Sequence, residues 1–166
     1  MTERGRRRRT AQPGSAFWTV VFRLSYRVLR LSSSALDRVV AMGLLPNVVR
    51  LTTVGRRSGR SRATLVTLLV ARDRWYVGHP NGRSGWTRNL AATGSARIQL
   101  GNGLPTTVRA RALSTGPERD QAIAAALAQQ PWPANWLYRA AERHVRAVGH
   151  YFRLDPEAST EAGAVR

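Results

Sequence analysis

Apolar and basic positions between Ala16 and Leu31 recur with a helical period. Arg23, Arg27 and Arg30 fall on one narrow stripe, and Phe17, Trp18, Val21, Leu24, Val28 and Leu31 lie largely on the other side, which predicts a basic amphipathic helix. Ser34 as N-cap, Gly43 after the last periodic residue and Pro46 beyond it predict a short helix over Ala35–Met42. The period then falls to two. Strands are predicted over Val48–Thr53, Ala63–Ala71, Arg74–Gly78, Ala96–Leu100 and Leu104–Leu113, with turns at Gly55–Arg62, Arg72-Asp73 and Gly101-Asn-Gly103. Between the third and fourth strands a short helix, roughly Gly85 to Ala92, is stopped by Gly94. Two more helices, Pro117–Gln129 and Ala134–Arg146, flank Pro131-Trp132-Pro133, and Ala147–Leu154 reads as a last strand. Consecutive hairpins of this kind build an antiparallel sheet or barrel, not a βαβ unit.

Residues 1–15 carry Arg4 and the run Arg6–Arg9 with too little apolar content to pack, and they are expected to be a disordered tail, as is 157–166. The arginines of the first helix interrupt the apolar core that a secretory signal needs. At 166 residues the chain is one domain's worth. Its net charge of +18 comes from 27 cations, every one of them arginine, against 9 acids, and it suggests an anionic partner without identifying one. There is no cysteine, so disulfides, thiolate metal sites and Cys nucleophiles are excluded. His79, His144 and His150 show no HExxH-type spacing and read as structural or surface residues, and no Gly-x-Ser-x-Gly elbow is present.

The loop Gly55–Arg62 holds four arginines, two glycines and two serines. Glycine lets successive backbone N–H groups converge on one point, and guanidinium forks match phosphate or carboxylate, so the loop is a candidate anion site. The same residues also suit a solvated turn. A P-loop is a poorer fit, because Gly55 and Gly59 are too close, Arg60 follows where Lys is needed, and a strand rather than a helix comes next. The basic helix is likewise open to two readings: packing on the domain's own core, or lying in an anionic membrane interface through residues 1–31. A nucleic-acid platform is disfavoured, because the arginines lack interleaved aromatics and no recognition-helix motif is present.

From roughly Leu44 to Pro156 the chain resembles the deazaflavin (coenzyme F420)-dependent nitroreductase and quinone reductase family of actinobacteria, within the split β-barrel superfamily. Leu51-Thr-Thr-Val-Gly-Arg-Arg-Ser-Gly-Arg-Ser-Arg62 is similar to that family's LTTTGRKSGxxR, with Arg57 where Lys is frequent and Ser61 where Pro is usual. Trp86-Thr-Arg-Asn-Leu90 is similar to its WxxNL. The resemblance implies an α+β fold, a split β-barrel of mainly antiparallel strands over 44–156 with flanking helices; the residue pattern adds an N-terminal amphipathic and short helical segment over 16–43. It implies that Arg56, Arg57, Ser58, Gly59 and Arg62 hold the F420 phosphate, and that Pro80, Asn81, Trp86 and Asn89 line the deazaflavin ring. It further implies hydride transfer from reduced F420 to a small-molecule acceptor, quinone-like or nitroaromatic; the expected location is cytoplasmic, with peripheral contact at the inner face of the membrane under the lipid reading of the basic helix. Where the family carries a tyrosine-rich segment over its substrate pocket, this chain has Trp132-Pro-Ala-Asn-Trp-Leu-Tyr138. Tyr138 and Trp136 are the pocket candidates there, and helix packing is the alternative role for both. A non-catalytic split-barrel protein carrying F420, FMN or haem is the second reading of the whole, with no metal site of its own.

Overall fold

In the computed structural model, residues 15–31, 45, 47–82 and 84–157 are described. The two expected tails and the helix expected over Ala35–Met42 lie outside these residues, apart from Ser15 and Glu157. The elements run α1 (Ser15–Leu31), β1 (Val48–Val54), β2 (Ser61–Thr67), β3 (Leu69–Ala71), β4 (Arg74–His79), α2 (Gly85–Thr93), β5 (Ser95–Leu100), β6 (Thr106–Ala112), α3 (Pro117–Gln129), α4 (Ala134–Ala140), α5 (Glu142–Val148) and β7 (His150–Pro156). All seven strands join one antiparallel sheet in the order β2-β1-β5-β6-β7-β4-β3. The sheet curls into a half-barrel with helices against it, the split β-barrel form of an α+β fold.

Strand alternation divides the core in two. Along β4 and β7, Val77, Phe152 and Leu154 turn into the barrel beside Val49, Leu51, Val66, Ile98 and Val108, with Leu90 of α2 packed among them. Tyr76 and Tyr151 turn the other way, with Leu69, into a layer made with Phe22 of α1, Ile123 and Ala126 of α3, Tyr138 of α4 and Val145 of α5. Fully burying one such aromatic or aliphatic side chain stabilises the fold by about 1.5–3 kcal/mol.

This layer settles which way the first helix faces. Phe22 is 1% exposed, meets Tyr138 edge-on with ring centroids 5.5 Å apart, and stacks on His144 at 6.0 Å. Phe17, Val20 and Leu24 are left on the outside.

Two expected boundaries moved. The single strand expected over Ala63–Ala71 is two, placed at opposite edges of the sheet. Val66 and Leu69 are both buried at a spacing of three, which breaks the two-residue period, and the Leu68 N–H leaves the ladder for the Asn47 carbonyl at 2.7 Å. The helix expected over Ala134–Arg146 divides at Ala141 (φ −96°, ψ 14°) into α4 and α5. Because α5 continues to Val148, the last strand begins at His150 rather than Ala147. The hairpin at Arg72-Asp73 formed as expected, both residues taking positive φ, 50° and 59°, the geometry of a two-residue turn between β3 and β4.

Candidate functional site

The β1–β2 hairpin keeps perfect register from Val48↔Thr67 to Val54↔Ser61, so its loop begins and ends at a fixed place. Within the loop the backbone folds on itself. The Gly55 N–H donates to Arg60 O (2.9 Å), the Ser58 and Gly59 N–H groups both donate to Gly55 O (3.1 and 2.8 Å), and Gly59 sits at φ 65°. The Arg60 N–H meets Ser58 Oγ at 3.4 Å. The expectation that successive backbone N–H groups converge on one outside point is therefore corrected: the turn uses most of them internally. Side chains remain as anion donors. Gly55 is covered so closely that a Cβ there would lie 2.8 Å from Ser58 Oγ and 3.4 Å from Arg62 Nε, which puts that hydroxyl and that guanidinium together.

Charge is distributed unevenly. From Asn47 to Pro117 the chain has a single acid, Asp73. Among the described residues the ion pairs gather on Glu118, which meets Arg74, Arg111 and Arg153, and on Asp120, Glu142, Asp155 and Glu157. None of these pairs involves Arg56, Arg57, Arg60 or Arg62. The loop arginines are exposed and keep their charge for something else. The surface recesses around Glu118 are lined by residues whose arginines that carboxylate already neutralises in part, and they offer an anion less.

The helix α2 brings the second motif to the loop. Ser84 caps it through a reciprocal pair with Thr87, the Ser84 N–H donating to Thr87 Oγ1 at 2.7 Å. Gly94 ends it in the left-handed conformation at φ 67°, its N–H on Leu90 O. Asn89, buried on this helix, presents Oδ1 to Arg56, accepting from the backbone N–H at 3.3 Å and from Nη1 at 3.2 Å. Three residues before it on the same helix, half-buried Trp86 meets Phe152 at 6.4 Å and the His79 ring at 6.3 Å.

Of the other expected site residues, Pro80 is buried at the end of β4. Asn81 is engaged elsewhere: its Nδ2 donates to Thr19 O of α1 (3.1 Å), and its Oδ1 pairs with His144 Nε2 (3.1 Å). Asn81 thus ties α1 to α5. Tyr138 is 4% exposed, and its hydroxyl pairs with that of Tyr26 at 3.3 Å. Burial, reinforced by the neighbouring tyrosines, pushes its ionisation well above the usual range. Trp136 stands at the surface, 69% exposed. Neither side chain is brought to Trp86 by any contact among the described residues.

His79, read from the sequence as a structural or surface residue, lies beside Trp86. Its imidazole lies between Tyr26, stacked at 4.8 Å, and Trp86, and burial lowers its pKa to about 4, leaving it neutral at ordinary pH.

Residues 25–144, more than half of the chain, match the family described as F420H(2)-dependent quinone reductase. Among curated proteins no sequence match was found. A solved F420-H2 dependent reductase, FDR-A, superposes with a TM-score of 0.52 at 21% identity, over 66% of this chain and 94% of that one. HutZ, a haem storage protein from Vibrio cholerae, superposes at 0.52 and 16% identity over 69% and 84%. A putative 5-nitroimidazole antibiotic resistance protein from Bacteroides thetaiotaomicron gives 0.51 and 10% over 73% and 79%. At these identities the structural likeness speaks for the fold alone. The family match covers both motifs and runs on to Tyr138, and the chain belongs to the F420H(2)-dependent quinone reductase family.

Proposed function

We infer that this protein is an F420H2-dependent oxidoreductase that delivers a hydride to a quinone-like or nitroaromatic acceptor. The observation that carries the reading is the Arg56–Asn89 contact, which fastens a loop whose arginines form no ion pair among the described residues to the helix bearing Trp86. A bound molecule with an anionic tail and a flat aromatic head fits that pairing. The residues present suit F420. Arg57 and Arg62 would meet its phosphate and polyglutamate carboxylates with charge-assisted hydrogen bonds, helped by Ser58 Oγ, while Gly59 lets the turn close beneath them. Trp86, backed by Phe152, would give the deazaflavin ring an apolar wall, and Pro80 closes the strand end beside it.

The cofactor supplies the hydride when bound, and the chain supplies position, charge and dryness. Asn89 holds the loop at a set distance from the helix. The aromatic surface of Trp86 keeps water from the reacting face. Tyr138 and Trp136 are assigned to packing and surface roles, because one hydroxyl is sealed against Tyr26 and the other ring stands in solvent.

No described helix is long and apolar enough to cross a membrane. The proposed location is cytoplasmic, with peripheral contact through the outer face of α1, where exposed Phe17, Val20 and Leu24 lie beside exposed Arg23 and Arg27. Apolar side chains entering the headgroup region with arginines on the lipid phosphates form an interfacial helix, and a lipid quinone would be met there.

The test of function is turnover. F420H2-loaded protein should be oxidised by at least one of a panel of quinones and nitroaromatics, followed by the return of F420 absorbance. Bound F420H2 that none of them oxidises would favour a carrier, and flavin or haem absorbance in the protein as isolated would replace F420 as the occupant.

A further inference from the structure

Of the chain's five tryptophans, Trp132 and Trp136 stand in solvent, 83% and 69% exposed, while Trp18, Trp75 and Trp86 are partly covered. The exposed pair lies four positions apart, in the turn before α4 and in its first turn. Two indoles left bare side by side mark an interaction surface rather than scattered surface hydrophobes.

Helix packing places this pair. Tyr138 of α4 meets Phe22 and Tyr26 of α1 in one layer over the sheet, with the Phe22 and Tyr138 rings 5.5 Å apart and the Tyr26 and Tyr138 hydroxyls 3.3 Å apart. Residues two positions apart on a helix lie about 200° apart around it. Trp136 stands two before Tyr138, and Leu24 stands midway between Phe22 and Tyr26, so both turn away from the shared layer. Phe17 and Val20 are exposed with Leu24, and Trp132 with Trp136. The outer faces of α1 and α4 therefore look away from the sheet on the same side of the molecule. Their charge is of one sign. No acid occurs within 15–31 or 121–141, and exposed Arg23, Arg27, Arg139 and Arg143 take part in none of the ion pairs among the described residues.

We propose that Trp132 and Trp136 form a second membrane anchor, which with the outer face of α1 makes a two-helix surface that docks on an anionic bilayer. This rests on the membrane contact proposed above for α1 and extends it to a distant part of the chain. Indole rings settle at headgroup level, the apolar body in lipid and the N–H in the wet layer, while the arginines meet lipid phosphates. A second copy of the chain would bring like charge against like, which disfavours self-association through this face. A single helix in the interface leaves the molecule free to roll about the helix axis, and a second contact beside it fixes the orientation. That orientation bears on the site. Tyr26 stacks on His79 at 4.8 Å and His79 meets Trp86 at 6.3 Å, so two rings separate the docked helix from the tryptophan proposed to bound the cofactor.

The experiment is co-sedimentation of full-length protein at low salt with vesicles of phosphatidylglycerol and phosphatidylcholine, alongside vesicles of phosphatidylcholine alone. Trp132→Ser with Trp136→Ser should weaken partition to the mixed vesicles about tenfold or more, because two indoles no longer leave water, with an unchanged thermal midpoint as the check on the fold. Trp132→Phe with Trp136→Phe keeps most of the apolar area and should recover most of the affinity. It also removes the two reporters, so bromine-labelled lipid should quench the fluorescence of the parent more than that of this variant. A Ser variant that partitions within about twofold of the parent, or equal quenching of the parent and the Phe variant, overturns the second anchor and leaves the α1 contact standing. Acrylamide that fails to reach the two indoles in the protein alone would show them covered by the chain itself or by a second copy, and it too overturns the anchor. Binding to phosphatidylcholine as tight as to the mixture overturns the anionic partner. Full-length protein that ignores the mixed vesicles overturns the α1 reading as well.

Discussion

Asn89 Oδ1 accepts two hydrogen bonds from Arg56, one from its backbone N–H and one from Nη1. These two residues lie 33 positions apart, at the tip of one hairpin and in the middle of one helix, and their contact turns two sequence motifs into one site. Replacing Asn89 by Ala strands both donors beside a buried position, at a cost of about 1–3 kcal/mol. Asn89→Asp keeps the acceptor and should recover most of the loss in thermal unfolding. If Asn89→Ala unfolds with an unchanged midpoint, the contact does not hold the loop.

The loop arginines should govern affinity for anions. Arg57→Ala and Arg62→Ala are each expected to weaken F420 binding about tenfold, the worth of one charge-assisted hydrogen bond. Arg111→Ala, whose partner is Glu118, should leave it unchanged. Raising the salt concentration should erode the difference, since the groups are exposed. Equal losses for all three variants would mean that net charge, not this site, attracts the cofactor.

Gly78 faces Tyr151 across the β4–β7 pair, and a Cβ at Gly78 would lie 2.1 Å from Tyr151 Cδ1. Gly78→Ala therefore has to displace a fully buried ring, with an expected loss of about 1–3 kcal/mol or more. Denaturant unfolding checks this, and a midpoint equal to the parent's would show that the ring can move freely.

For the membrane contact, α1 has an inner face and an outer one. Deleting the helix would uncover Tyr138 and His144, so point changes on the outside are the cleaner probe. Phe17→Asp with Leu24→Asp should abolish co-sedimentation with anionic liposomes at low salt and leave F420 binding intact. Full-length protein that ignores such liposomes contradicts the proposed location.

Acid should destabilise the fold through His79. Burial lowers its folded pKa from the model-compound value of 6.5 to about 4, so the unfolded chain binds the proton more readily. The resulting stability is fully present above about pH 6.5, is lost as pH falls towards 4, and levels off below that, a span of up to ~3 kcal/mol. His144, lowered in the same direction by burial, adds to the slope. Thermal unfolding of the parent and of His79→Phe across this range should converge at low pH, and parallel curves would contradict the shift.

Much of this was legible in the chain. The period of 3.6 marked α1, the two-residue alternation marked β1 and β4, and the glycine-arginine loop and the Trp86–Leu90 stretch announced the two halves of the site. What was not legible is non-local. Nothing in Ala141 distinguishes a helix break, since the hydrogen bonds on either side of it continue. The division of Ala63–Ala71 depends on Asn47 capturing Leu68. Asn81 looked as free as Asn89 until α1 arrived to occupy it, and the inward turn of Tyr138 depends on Tyr26, 112 positions away. The backbone amides of Gly55–Arg60 offered an anion nest by composition, but the loop closes on itself instead.

The central claim is that the arginine loop and the Trp86 helix together hold F420. Titrating the protein into F420 while following cofactor fluorescence tests it directly. Saturable binding at micromolar cofactor or below, about tenfold weaker in Arg57→Ala and insensitive to Arg111→Ala, is the predicted result. No change in fluorescence at micromolar cofactor, in a protein shown to be folded, would contradict it.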